Sequence, residues 1–259
     1  MSNKIILMLL CLLVLSACHG KGTSMNSSDN KLVLTDRQKE ILANEGLPTD
    51  PEQLNLRQRT GIRNIERMMQ YLDEKYPNDT FTFIEYAEMA PGVDPETLYV
   101  YLGSEEDGIK IKVTDRIDEN KEYVYADDYD EAVALPAYIN EVSEYLTGKG
   151  SKRFFIDTTV SSVSDASEDV IAKTAAFSMI FIENTFSSEN EMEEFVREFG
   201  EWVLSKNPVY STIFNFYFQN KEDAFSTTKH NFLDMKRNDR YEYKLYMNVN
   251  KDGSIEINR

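Results

Sequence analysis

Residues 177–218, FSMIFIENTFSSENEMEEFVREFGEWVLSKNPVYSTIFNFYF, hold a strand, a helix and a strand in succession. Phe177–Glu183 (FSMIFIE) is an apolar run of strand length. Ser188 and Glu191 stand at capping-box spacing. They open a stripe of Met192, Phe195, Val196, Phe199, Trp202 and Val203, which recurs at steps of three and four and so lies on one helical face. Asn207-Pro208 stops the helix, because the proline ring disfavours helical backbone in the residue before it. Tyr210–Phe218 (YSTIFNFYF) is then rich in β-formers. Upstream, Arg153–Val160 (RFFIDTTV) reads as a strand, and Asp165 with Glu168 has cap-like spacing before a helical stretch ending near Ala175. Downstream, residues 221–235 are ambiguous, while Arg240–Val249 and Ser254–Ile257 close as a hairpin around Asn250-Lys251-Asp252-Gly253. The order β-α-β-α-β followed by two strands permits a ferredoxin-like sheet or another layered α+β sheet.

The preceding half has its own pattern. Thr35 and Gln38 have capping-box spacing for a short helix over 35–46 (TDRQKEILANEG). A second helix is expected to start near Asp50-Pro51 and to run to about Tyr76, with Ile62, Ile65, Met69, Leu72 and Tyr76 on one face. Four strand-like runs follow, Thr80–Tyr86 (TFTFIEY), Thr97–Leu102 (TLYVYL), Ile109–Val113 (IKIKV) and Glu122–Tyr125 (EYVY). Their connections, Ala90-Pro91-Gly92 and Ser104–Gly108, are turn-like. Residues 136–147 suggest a helix with Ile139, Val142 and Leu146 on one side, and Gly148-Lys149-Gly150-Ser151 marks the best boundary. The expected fold class is therefore α+β. Two successive α+β halves, 35–147 and 148–259, follow a tether over 18–34, the first an antiparallel meander packed on helices.

The whole chain has 259 residues, with 28 Lys+Arg against 45 Asp+Glu, a net charge of −17. That composition excludes collagen-like, disulfide-laced and wholly disordered chains. Residues 5–17, IILMLLCLLVLSA, follow a single basic residue, Lys4. The run is shorter than the roughly 20 apolar residues that span a bilayer, and it ends in small residues, as a secretory leader does. The junction Leu15-Ser16-Ala17-Cys18 resembles the lipobox of bacterial lipoproteins. That resemblance implies lipid attachment at Cys18, removal of residues 1–17, and a body held at the extracytoplasmic face of the cell membrane. The segment from His19 to Asn30 has the polar, Gly- and Ser-rich composition of a flexible tether. The stretch LTDRQKEILANEGLPTD (34–50), followed by a long helix and TFTFIEY, is also similar to uncharacterised lipoproteins of Gram-positive anaerobes over about residues 33–147. That group has no established activity to carry over.

Removing the leader also takes Cys11, and lipid occupies Cys18, so no thiol nucleophile or disulfide pair remains. His19 and His230 are the two histidines. A His-rich zinc site, a Ser-His-Asp triad and a Cys-His dyad each need partners this composition scarcely supplies. The acidity repels nucleic acid and anionic headgroups and favours cations, basic peptides or basic protein surfaces, or simply keeps an exported protein in solution.

The remaining candidates each have a plain structural reading. Asn248, Asn250, Asp252 and Gly253 mimic the first half of a calcium loop, but position twelve is Arg259 where a bidentate Glu is needed, so the hairpin turn explains them. Asp127-Asp128-Tyr129-Asp130-Glu131 suits a helix N-terminus or solvent better than a cation, and Glu105-Glu106-Asp107 suits a hairpin tip. Arg57, Arg59, Arg63 and Arg67 are expected to pair with nearby Glu. The pairs Tyr99/Tyr101, Tyr123/Tyr125 and Tyr241/Tyr243 and the trio Phe214/Phe216/Phe218 read first as core or cross-strand neighbours and second as a stacking platform. No catalytic, metal or cofactor residue is nominated. The expectation is a non-enzymatic surface module, anchored through Cys18, that binds a protein, peptide or glycan and not nucleic acid. The alternatives are an envelope hydrolase using a carboxylate pair, with one raised pKa across a cleft, and an accessory subunit of a membrane transport or resistance complex, with a large exposed apolar patch.

Overall fold

The computed structural model describes residues 32–88, 95–105, 108–117 and 123–259. Cys18, the leader, most of the tether, the turn at Ala90-Pro91-Gly92 and the acidic pair Glu106-Asp107 lie outside them. Among the described residues the chain is α+β, with seven α-helices and two sheets. No helix among them is long and apolar enough to cross a membrane.

The first half begins with α1 (Asp36–Asn44), whose Thr35/Gln38 capping box is fully formed. The expected helix start at Asp50-Pro51 needs correction. Asp50 caps a separate 3-10 turn over Pro51–Gln53, and α2 (Leu56–Lys75) starts afresh behind a second capping box of Asn55 and Gln58. The apolar face of α2 buries Ile62, Ile65, Met68, Met69 and Leu72 against β1 (Phe81–Ala87), β2 (Thr97–Leu102), β3 (Ile109–Ile117) and β4 (Tyr123–Asp127). These strands form an antiparallel meander in chain order. Leu98, Val100, Ile111 and Val113 supply its inner face, and the intervening Tyr99, Lys110 and Lys112 face away, as period-two alternation requires.

Helix α3 (Tyr129–Gly148) begins seven residues before the expected start at 136 and carries Pro136 inside it. A proline there forfeits one backbone bond, a loss the packing of the flanking turns has to offset. The helix joins the halves. Its first turn packs Tyr129 and Ala132 on the first core, whereas Tyr138, Val142 and Leu146 belong to the second.

The second half is β5 (Phe154–Val163), the short α4 (Val170–Lys173), β6 (Thr174–Glu183), α5 (Glu189–Ser205), β7 (Thr212–Gln219), α6 (Lys221–Ser226), α7 (Phe232–Arg237), β8 (Tyr243–Val249) and β9 (Ile255–Asn258). The helical stretch expected to end near Ala175 is only the four residues of α4, capped by Asp169, and β6 starts at Thr174. The sheet runs β5-β6-β7-β8-β9, antiparallel except for the parallel pair β6 and β7. A ferredoxin-like sheet splits its βαβ unit with an intervening strand. Here β6 and β7, linked by α5, are direct neighbours, so the layered alternative is the one formed. Ser188 caps α5 as expected, but the return bond from Glu191 goes to the backbone N–H of Ser187, one residue early. Helix α5 lies close on the sheet because Gly200 faces it. A Cβ there would come within 2.9 Å of Met247 Sδ and 3.0 Å of Ile255 Cδ1.

A buried carboxylate, paired with a half-exposed lysine, ties the end of β4 to α2. The Asp127 side chain is 2% exposed and accepts from Lys75 Nζ at 2.8 Å. It also accepts from Tyr76 Oη at 2.8 Å, from the backbone N–H of Tyr129 at 3.1 Å and from Tyr71 Oη. Burial alone pushes the Asp127 carboxyl upward, but the bonds from Lys75, Tyr71, Tyr76 and Tyr129 outweigh it and hold the group below its ordinary value. A depressed carboxylate stabilises the fold above its unfolded pKa, about 3.9, and that contribution is lost as pH falls through the lower folded value. Asp127→Asn is therefore expected to lower the stability at pH 7 by about 2–4 kcal/mol, since hydrogen bonds to a charged group are worth about 1.5–3 kcal/mol each. Urea unfolding at pH 7 and pH 3 checks this, with a smaller difference between variant and parent at pH 3. An equal difference at both values would assign the loss to packing.

Candidate functional site

A groove of about 580 Å³ lies where α1, α2 and the free edge of β1 meet. Strand β1 pairs only with β2 among the described residues, so one row of its backbone groups faces the groove side unpaired. Ile41 and Leu42 of α1, Leu47 of the following turn, Ile62 and Ile65 of α2, and Phe83 and Ile84 of β1 make its apolar floor.

Ile84 owes its place to a local irregularity. The register between β1 and β2 shifts between Phe83 and Glu85, so Ile84 is the extra residue of a bulge. Such an inserted residue re-aims a side chain and twists an edge. Ile84 lines the groove and is not part of the packed core, unlike its neighbour Phe83. The signal was present in TFTFIEY, where the adjacent Phe83 and Ile84 break an otherwise alternating run.

The rim is acidic. Glu45, Glu85 and Glu88 stand against one guanidinium, Arg57. Arg57 Nε holds Glu88 Oε2 at 2.6 Å and Lys110 Nζ holds Glu85 Oε1 at 3.3 Å, both at the surface. Exposed pairs of this kind are worth roughly 0.2–1 kcal/mol, so an incoming cation competes with them at little cost.

Behind the groove lies a polar cluster. Asn64 on the inner face of α2 donates to Glu96 Oε2 at 2.8 Å and to Tyr86 Oη at 3.4 Å. Burial, and then the bond to Glu96, push the Tyr86 phenol upward. Asp115 is buried beside them; burial first and then the Glu96 charge raise its carboxyl, against a lowering by Arg67. Neither Glu96 nor Asp115 lines the groove. Asn64, Tyr86, Glu96 and Asp115 form a polar end to the first core.

The other sequence candidates fall elsewhere. Of the arginines expected to pair with Glu, Arg57 does so; Arg59 Nε instead donates to the Leu54 carbonyl at 2.9 Å, and the Arg67 guanidinium lies 5.2 Å from the Tyr123 ring centre. Arg63 is exposed. Asp127 is an inter-element hydrogen-bond hub, and Asp128 accepts from the backbone N–H of Lys112 at 2.6 Å. At the last hairpin, Asp252 Oδ1 accepts from the Ser254 N–H at 3.0 Å and Gly253 takes a positive φ of 90°, the geometry of a turn. Phe214, Phe216 and Phe218 are core. His230 is exposed in the turn before α7. Phe177 and Ile213, at 38% and 44% exposure, are register partners at one end of the sheet face that buries Met179, Phe181 and Tyr217.

No protein-family model matches the sequence, and no curated protein matches it. A solved structure similar to this chain is that of a DUF5037 family protein from Ruminococcus gnavus. It has 13% sequence identity, the alignment covers 71% of this chain and 91% of that one, and the TM-score is 0.37.

Proposed function

We propose that this chain is a lipid-anchored surface protein whose body binds a basic, partly apolar peptide segment as an added strand along β1. The anchor is Cys18, and the leader that precedes it places the body on the extracytoplasmic face. The observation that carries the binding reading is the groove: an apolar floor, an unpaired strand edge and three carboxylates on the rim, of which Glu88 is held by Arg57 and Glu85 by Lys110 through exchangeable surface pairs. Strand addition draws affinity from main-chain hydrogen bonds and specificity from pockets for alternate side chains. An alternating cationic and apolar peptide satisfies all three features. Its apolar residues fill the floor over Ile62 and Ile84, its backbone pairs with β1, and its cations meet Glu45, Glu85 and Glu88.

The test compares a fluorescently labelled (Lys-Val)4 peptide with its (Glu-Val)4 counterpart by anisotropy. The basic peptide is expected to bind and to weaken as salt rises, because rim electrostatics are screened within about 8 Å at physiological ionic strength. Ile84→Lys places a cation on the groove floor and is expected to weaken that peptide at least tenfold. Its cost in stability is expected to stay below about 1 kcal/mol, since Ile84 is not in the packed core. Equal binding of both peptides, or an Ile84→Lys variant that binds as the parent does, would overturn the reading.

A further inference from the structure

A second cavity, of about 470 Å³, opens where the α3–β5 connection meets the end of β6 and the start of α6. Its lining is Gly150, Lys152, Arg153, Glu183, Thr185 and Lys221. Three cations around one carboxylate is the reverse of the whole chain, in which acidic residues outnumber basic ones 45 to 28.

The donors in this cavity are largely unspent. Lys152 and Lys221 have no ion-pair or hydrogen-bond partner among the described residues. Arg153 approaches Glu183 only to 4.0 Å, well beyond the 2.7–2.9 Å of a charge-assisted hydrogen bond. Its guanidinium instead lies 5.1 Å from the centre of the Phe225 ring, which is 75% exposed. That cation–π contact uses the face of the ring and leaves the guanidinium N–H groups free. An arginine so held presents its forked donors to an oxyanion. The net charge of the body does not forbid an anion here, because charges beyond a Debye length of about 8 Å are largely screened and a concave wall concentrates the field of the nearest groups.

We propose that this cavity binds a phosphate group, with Arg153 supplying paired hydrogen bonds and Lys152 and Lys221 supplying charge. The phosphate belongs either to a small soluble molecule or to a lipid headgroup beneath the tether. The inference is independent of the groove on β1, since no residue is shared between the two sites.

The experiment is calorimetric titration of the full chain, purified in a non-ionic detergent, at constant ionic strength. One arm uses inorganic phosphate, and the other uses dihexanoyl phosphatidylglycerol below its micelle concentration. Saturable binding of phosphate is expected, weakened at least tenfold in the Lys152→Gln/Lys221→Gln double variant. Both lysines are exposed, so the unfolding curve of that variant should match the parent's. Arg153→Lys, which keeps the charge and loses the fork, should also weaken binding. Phosphate bound with the lipid ignored assigns a soluble ligand, and both bound assigns a headgroup. No saturable phosphate binding, or binding unchanged in the double variant, would overturn the proposal.

Discussion

Phe216→Ala is expected to remove about 3–5 kcal/mol of stability, the range for emptying a large aromatic site in a packed core. Phe216 is fully buried in the middle of β7, with Ile180 of β6 on one side and Leu245 of β8 on the other. Its ring centre is 5.3 Å from that of Phe199 and 6.3 Å from those of Phe195 and Phe218, so α5 and the sheet meet through it. The hole cannot close easily, because Phe214 and Phe218 are fixed by the same strand and by their own contacts with α5 and β8. A native domain has only about 5–15 kcal/mol to lose. The midpoint of urea unfolding, followed by circular dichroism, should therefore fall sharply with the slope retained. A loss below 1 kcal/mol would mean that the phenylalanine ladder is not the centre of the second core.

Cys18→Ser is expected to abolish incorporation of an alkyne-labelled fatty acid, read by click chemistry on the chain expressed in a bacterium. The retained leader would keep some variant protein at the membrane, so the acyl label is the cleaner readout than fractionation. The effect is all or none because serine offers no thiol for the thioether. Its consequence is large because each buried CH₂ contributes about 0.8 kcal/mol, and a single acyl chain holds a protein only marginally whereas two hold it stably. Label persisting in Cys18→Ser would move the anchor to another residue and undo the lipobox reading.

Local signals are legible where one element carries them alone. The Thr35/Gln38 box, the stripe of α5 and the limits of β2 are all consequences of near neighbours in the chain. Misreadings arose where two local signals compete. Asp50-Pro51 is a true helix start, but of a 3-10 turn, and the equally good Asn55/Gln58 box five residues later opens the long helix. Pro136 suits the first turn of a helix, yet the helix enters from Tyr129, pinned by Asp127 and by stacking of Tyr129 on Tyr76 at 3.8 Å. That stacking joins residues more than fifty positions apart, and no spacing rule reports it. The groove has the same origin. Its floor comes from α1, α2 and β1 together, and only the Phe83-Ile84 pair left a local trace. Around the basic cavity, Arg153 and Lys221 are brought together by the closure of the second sheet.

The central claim is that the free edge of β1 receives a basic peptide. Hydrogen–deuterium exchange by mass spectrometry, on the full chain with and without (Lys-Val)4, tests it directly. The account predicts slowed exchange confined to Phe81–Ala87 and the adjoining α1–α2 turn, because an added strand takes up the unpaired N–H groups of that edge. Protection that falls instead on the second sheet, or none at peptide concentrations that saturate binding, would contradict it.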